Sequence, residues 1–306
     1  AEADYQTVFA LQDRIRADLN SAESQQYISK QLRPIFERAI TLQRDLFDQN
    51  QNDDHLWNAL VLAERAKAFS LLAAMETSKR DQPRRERELR REIAQLERTA
   101  NKTELGVARL ELQRLLQHSD QTDFTPRSLN PVTLRKYLKS RDLHLLEYVI
   151  GEENNYLISV TPEGEISMNK LDAGDELASE IARFRQVIEA SAYKEVSLNK
   201  NQQQLDADFK VASLNLSSKL FPESGPGGQT LPENLLIVPD NYLAFVPFGA
   251  LLTGPVKDDQ LNYQTLPYLQ RGRQLSFSYS AQYLLELAGR MYTVPQRNLL
   301  ALAPTF

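Results

Sequence analysis

The run Leu235-Leu-Ile-Val238 is apolar at every position. A half-exposed strand alternates apolar and polar residues, because successive side chains point to opposite faces. An unbroken apolar run asks for burial on both faces, as in a parallel sheet covered by helices on each side. Pro239-Asp240 ends the run, since proline cannot donate to a ladder. The pattern then predicts a short strand that meets Pro247-Phe248 and opens a helix. Residues 274–280 read as a further strand, 281–291 as a helix and 298–303 as a third strand. Strand–helix–strand at this spacing predicts right-handed crossovers and a parallel sheet.

Upstream, the hydrophobic period is two from about residue 140. Residues 143–150 and 156–160 read as strands, and Thr161-Pro-Glu-Gly164 as a type I turn into 166–168. This is an antiparallel meander. Leu177, Ile181, Phe184 and Ile188 then mark one helix, and Leu205, Phe209, Ala212 and Leu216 a second over about 203–221. Pro222-Glu-Ser-Gly-Pro-Gly-Gly228 reads as a loop.

The first third is helical. Ile28, Leu32, Ile35, Phe36, Ala39 and Leu46 recur at spacings of three and four. Asn52-Asp53-Asp54 breaks that pattern and supplies a cap for a helix over about 54–76, with Leu56, Leu60, Ala63, Ser70 and Leu71. Paired helices joined by a short polar turn are what tetratricopeptide-like repeats give, at about 34 residues per unit. Residues 80–118 predict a charged helical hairpin interrupted near Asn101. Its stripe is Leu89, Ile93, Leu96 and Ala100, continued by Val107, Leu110 and Arg114. A narrow apolar stripe among charges is a coiled-coil seam. The expected organisation is therefore helical repeats over 1–78, a coiled-coil arm over 79–120 and an α/β domain over 121–306.

Composition narrows the chemistry. The chain has 306 residues, no cysteine and three histidines, with a formal net charge of −5. Without cysteine there is no disulfide, thiolate metal site or thiol nucleophile. The acidic balance gives no general attraction to nucleic acid or anionic lipid. No apolar run approaches the ~18 residues of a membrane span. The start resembles no signal peptide, and the cytoplasm is the expected compartment. Nucleophilic catalysis needs a nucleophile beside a base. No Gly-x-Ser-x-Gly elbow is present, and His55, His118 and His144 share no local motif. Each histidine reads as structural or solvent-facing. Asp120/Asp123, Glu152/Glu153 and Asp172/Asp175 lack a His or Cys partner and read as polar turns. The glycine loop 225–228 lacks the Lys-Ser/Thr of a phosphate loop. No cofactor or metal is expected. The basic run 79–91 is interleaved with Glu86 and Glu88, so it reads as a solvated face or a surface for a partner protein. Asp240 and Asn241 follow a buried strand, where open α/β sheets bind ligands. Asp240 either caps a turn there or, with Asn241, shapes a substrate groove.

Several segments, in order, carry a family likeness: Leu146-Glu-Tyr148, Ile237-Val-Pro239-Asp240, Phe245-Val-Pro247-Phe248, Leu251, Phe277-Ser-Tyr279-Ser280 and Leu300-Ala-Leu-Ala-Pro304. With Ala63-Glu-Arg-Ala-Lys-Ala-Phe-Ser-Leu-Leu72 before them, they resemble the CHAT domain family, caspase-like cysteine peptidases associated with tetratricopeptide repeats. The resemblance implies a caspase-like sheet with flanking helices, and a later His–Cys dyad for which this chain has no counterpart. It implies a protein or peptide substrate and a protein activator taken by the helical repeats, often in antiviral defence or programmed cell death. The expectation is an N-terminal regulatory and partial catalytic portion, completed by more chain, a cleaved fragment or a second polypeptide. The alternative is a non-catalytic interaction scaffold.

Overall fold

A computed structural model describes Tyr5, Val8, Phe9 and residues 22–79, 84–99, 102–118, 128–172, 174–192, 202–222, 231–254, 256 and 262–289. Helices α1 (Ala22–Asn50) and α2 (Asp53–Lys79) come first. Their corner forms as the polar triplet predicts. Gln51 adopts a left-handed φ of 55°, and Asn52 Oδ1 accepts the Asp54 backbone N–H at 3.0 Å. That bond satisfies one of the donors a helix start leaves open. Phe36, Ala39 and Ile40 of α1 and Leu56, Leu60 and Ala63 of α2 are buried, so the helical period correctly marked the apolar faces.

Helices α3 (Arg84–Thr99) and α4 (Lys102–His118) form the charged hairpin. Arg85, in the first turn of α3, meets Glu111 late in α4 at 2.7 Å, so the two run antiparallel. The buried stripe on α4 differs from the expected one. Ala108 and Leu112 are buried there, as is Leu89 of α3, whereas Val107 and Leu110 are exposed. α3 and α4 are separate helices, so the stripe of α3 need not carry over onto α4. The Arg114 side chain lies outside the described residues.

Helix α5 (Pro131–Arg141) delivers the chain to the sheet. Asn130 Oδ1 caps it by accepting the Thr133 N–H at 3.0 Å. Strands β1 (His144–Ile150), β2 (Asn155–Val160) and β3 (Ile166–Leu171) follow, then α6 (Gly174–Ala192) and α7 (Gln202–Leu220). Strand β4 (Asn234–Val238), strand β5 (Gln274–Phe277) and α8 (Ala281–Ala288) complete the described elements. The five strands lie in the order β3-β2-β1-β4-β5. The predicted meander is present, with β1–β2 and β2–β3 antiparallel. The β1–β4 and β4–β5 pairs are parallel. The fold is mixed α/β. No described helix is long and apolar enough to cross a membrane.

Side-chain alternation sorts the sheet into two cores. Leu145 and Val149 of β1 and Leu236 and Val238 of β4 face α1, α2, α5 and α8. Leu146, Tyr148 and Ile150, with Leu235 and Ile237, face α6, α7 and the segment Leu243–Leu269. The run 235–238 is therefore buried on both sides, as its composition required. The first two helices share the core of one sheet face.

Two local readings change. The segment after Asp240 is neither strand nor α-helix: Asn241–Phe245 and Phe248–Ala250 are single 3₁₀ turns. Asn241 enters with φ of 49°, the Leu243 N–H bonds back to the Asp240 carbonyl, and Pro247 has no N–H, so no ladder can start. Strand β5 stops at Phe277 rather than 280, because Ser280 is the N-cap of α8, its Oγ accepting the Tyr283 N–H at 2.9 Å. Residues 298–303 and Pro304 lie outside the described residues.

Candidate functional site

The carboxyl ends of the parallel strands β1 and β4 lie side by side, with Glu147 in register with Val238. This is where α/β sheets offer a ligand crevice. Here the chain fills it with its own charges. Asp240, 7% exposed, turns inward. Its Oδ2 accepts the Ile150 backbone N–H at 2.8 Å and an Arg33 N–H from α1 at 2.6 Å. The same guanidinium nitrogen donates to the Ile150 carbonyl at 2.6 Å, and Arg33 Nε donates to Glu37 at 3.0 Å. Glu37 in turn accepts the Glu152 N–H at 2.9 Å. Burial works against the Arg33 cation, but Asp240 and Glu37 outweigh it and raise its pKa. Gly151 is required beside them: a Cβ there would sit 2.7 Å from the Asn154 carbonyl oxygen.

Beneath this lip lies a second, drier cluster. Glu147 projects from β1 toward α2 and is 0% exposed. Its Oε1 accepts from Lys67 Nζ at 2.5 Å, and Lys67 also donates to the Tyr148 carbonyl. One helical turn before Lys67, Glu64 is 1% exposed. Its two oxygens accept the Ala281 and Gln282 backbone N–H groups of α8, each at 2.7 Å. That geometry closes the positive end of a helix with a carboxylate. Burial alone would lower the Lys67 pKa, but Glu147, Asp240 and Glu64 more than reverse this, so Lys67 is held cationic. Burial pushes the Glu147 pKa well above the usual carboxyl value; Lys67 opposes this and Glu64 adds to it. Glu147 Oε2 is buried and meets no hydrogen-bond donor among the described residues.

Of the groove candidates, Asn241 is exposed while Asp240 is committed to Arg33 and Ile150. The Asp240 side chain makes no capping bond to the turn that follows it. It ties β4, β1 and α1 together. Pro239 is half-buried beside it, and Pro247 is exposed. The motif aromatics divide. Phe248 is buried against Tyr148, Phe221 and Phe277, with ring centroids 5.7, 6.4 and 6.0 Å away. Phe245 is 68% exposed under the Arg185 guanidinium. Leu251 and Ser280 are buried, and Tyr279 is exposed.

His55 and His144 lie on different elements. His55 Nδ1 contacts Gln43 at 2.8 Å and its Nε2 contacts Asn50 at 3.1 Å, across the α1–α2 corner. His144 opens β1, and the His118 side chain lies outside the described residues. Asp172 pairs with Lys219. Asp120, Asp123 and the loop 225–228 lie outside the described residues. Among the described residues no cluster has the ligands of a metal ion.

Sequence reasoning passed over Arg33, Glu37, Glu64, Lys67 and the chemistry of Glu147. One signal was available: Glu147 is the single charge inside the apolar run Leu145–Ile150. A charge on a strand buried on both faces needs a partner from another element. No family model matches the chain, and searches of curated proteins and of solved structures returned no match.

Proposed function

We propose that the chain is the regulatory and N-terminal catalytic-domain portion of a CHAT-type cysteine endopeptidase. On this reading a tetratricopeptide-like helical pair takes a protein activator, and the sheet is the opening part of a caspase-like domain acting on protein or peptide substrates. The dyad is contributed by residues other than these 306, since the chain has no cysteine. The observation that carries the reading is the ordered motif series. Leu146-Glu-Tyr148 lies on β1, Ile237-Val-Pro-Asp240 ends β4, and Phe277-Ser-Tyr-Ser280 joins β5 to α8, with β1, β4 and β5 adjacent and parallel. The cytoplasm is the compartment that fits a thiol peptidase.

The absence of cysteine favours a second reading, a non-catalytic scaffold that binds partners through its helices. One experiment separates them. The native particle is purified from its source, treated with a cysteine-reactive peptide probe and resolved by denaturing intact mass. A probe-labelled species containing these residues, or copurifying with them, supports the peptidase. A particle that neither carries the label nor cleaves a peptide library, with or without its partners, overturns it in favour of the scaffold.

A further inference from the structure

The buried cluster under the lip does not balance as an ordinary set of ion pairs. Among the described residues, three buried carboxylates, Glu64, Glu147 and Asp240, face two cations, Lys67 and Arg33. Arg33 is further shared with Glu37. Glu64 is matched by the two amides of α8, and Asp240 by Arg33 and the Ile150 amide. Lys67 spends one hydrogen on the Tyr148 carbonyl and another on Glu147 Oε1. Glu147 Oε2 is left with no donor. Its in-register sheet neighbours, Ile158 on β2 and Val238 on β4, are apolar. The charged groups bearing on it are Lys67 and Glu64, both from α2. Glu64, one helical turn before Lys67, acts on it as a like charge. A buried anionic oxygen without a donor is among the costliest groups a core can hold.

We propose that Glu147 is a neutral acid in the packed chain, and that its ionisation loosens α2 and α8 from the sheet, making this junction a proton-controlled latch. The proton sits on Oε2, the oxygen that no donor reaches, while Oε1 accepts from Lys67. When the proton passes to solvent base, Glu64 gains a like charge at close quarters. Glu64 is the residue that holds the first turn of α8, so the loss reaches α8 through α2. This rests on the cluster alone and stands whether or not the chain belongs to a peptidase.

The test compares the full chain with Glu147→Gln, which mimics the neutral acid. A carboxyl whose proton is held more tightly in the folded state contributes stability that falls as pH rises above its ordinary value of 4.5. The unfolding constant of the wild type, divided by that of E147Q, is expected to rise by up to about tenfold per pH unit from that point. Exchange of the Ala281 and Gln282 amides is expected to accelerate with pH in the wild type beyond the base-catalysed rise seen in E147Q. A ratio that stays flat with pH, or matching exchange profiles, overturns the latch and makes Glu147 a plain ion-pair partner of Lys67. If E147Q does not fold, infrared spectra of the wild type decide. A carboxylic-acid carbonyl band at neutral pH that shifts on carboxyl-labelling of glutamate supports the proposal, and its absence overturns it.

Discussion

Glu64→Gln isolates what the carboxylate at the start of α8 contributes. In the wild type each oxygen of Glu64 accepts one backbone N–H at 2.7 Å, in a site that is 1% exposed. The amide has one acceptor, so it can keep the bond to Ala281 or to Gln282 but not both. The other N–H then faces an NH₂ group and goes unsatisfied, which costs about 1–3 kcal/mol when buried. The bond that survives becomes neutral, a loss of roughly 1 kcal/mol against a charge-assisted one. Loss of the negative charge at a helix N-terminus removes about 0.3–1 kcal/mol more. Against this, the side chain no longer carries a buried charge, which returns part of the cost. The expected net loss is about 2–4 kcal/mol. The measurement is urea unfolding of both proteins at one fixed pH. Exchange of the Ala281 and Gln282 amides, followed in parallel, is expected to lose protection. Glu163→Gln, on an exposed turn, is the control and is expected within about 0.5 kcal/mol of the wild type. An E64Q change no larger than that control, with both amides still protected, would refute the reasoning.

The other predictions test the neighbouring contacts. Arg33→Leu leaves the Asp240 carboxylate with the Ile150 amide alone; Arg33 is 34% exposed, so solvent screens the loss and about 1–3 kcal/mol is expected from urea midpoints. Asp240→Asn keeps an acceptor for Arg33 and Ile150 and is expected to cost less than R33L. Phe248→Ala removes a ring packed on three others and is expected to cost about 3–5 kcal/mol. Phe245→Ala, three residues earlier on a side chain 68% exposed, is expected to change stability by less than about 1 kcal/mol, with equal losses refuting the assignment of faces. Tyr148→Phe removes the hydroxyl that donates to the Leu220 carbonyl at 3.0 Å and is expected to cost about 1–2 kcal/mol. Burial raises the Tyr148 pKa far above its usual value of 10.0. The folded state therefore holds that proton when the unfolded chain has lost it, and stability falls as pH rises past that value. Ultraviolet titration is expected to show one fewer phenol resisting ionisation in Y148F while the fold survives.

Much of the architecture was legible because it rests on local periodicity. The three–four spacing marked buried positions such as Phe36, Ala39, Leu56, Leu60, Leu177, Phe184 and Leu216, and the strands β1, β2 and β3 form where they were read. The unbroken run 235–238 announced a strand buried on both faces between parallel neighbours. Capping was legible at Asn52, a short polar side chain just before a helix. Local readings failed where the backbone carries no period. The segment after Asp240 has strand-like composition, yet the left-handed Asn241 and the missing N–H of Pro247 turn it into 3₁₀ turns. Val107 and Leu110 have helical spacing, but phase is not conserved through a turn, and Ala108 and Leu112 take the seam.

The charged cluster belongs to the tertiary structure alone. Arg33 and Asp240 are separated by 207 residues, Lys67 and Glu147 by 80, and Glu64 and the α8 amides by 217 and 218. No periodicity relates such positions. Glu147 by itself told of a charge in a core strand that needed company. Which helix supplied that company was decided when α2 packed across the sheet, and whether it suffices for both carboxylate oxygens is settled by the number of donors in reach. Sequence determined which faces are dry, because transfer from water depends on each residue's own chemistry. Tertiary packing determined which charges share the dry space, because electrostatic pairing depends on distance through space and not along the chain.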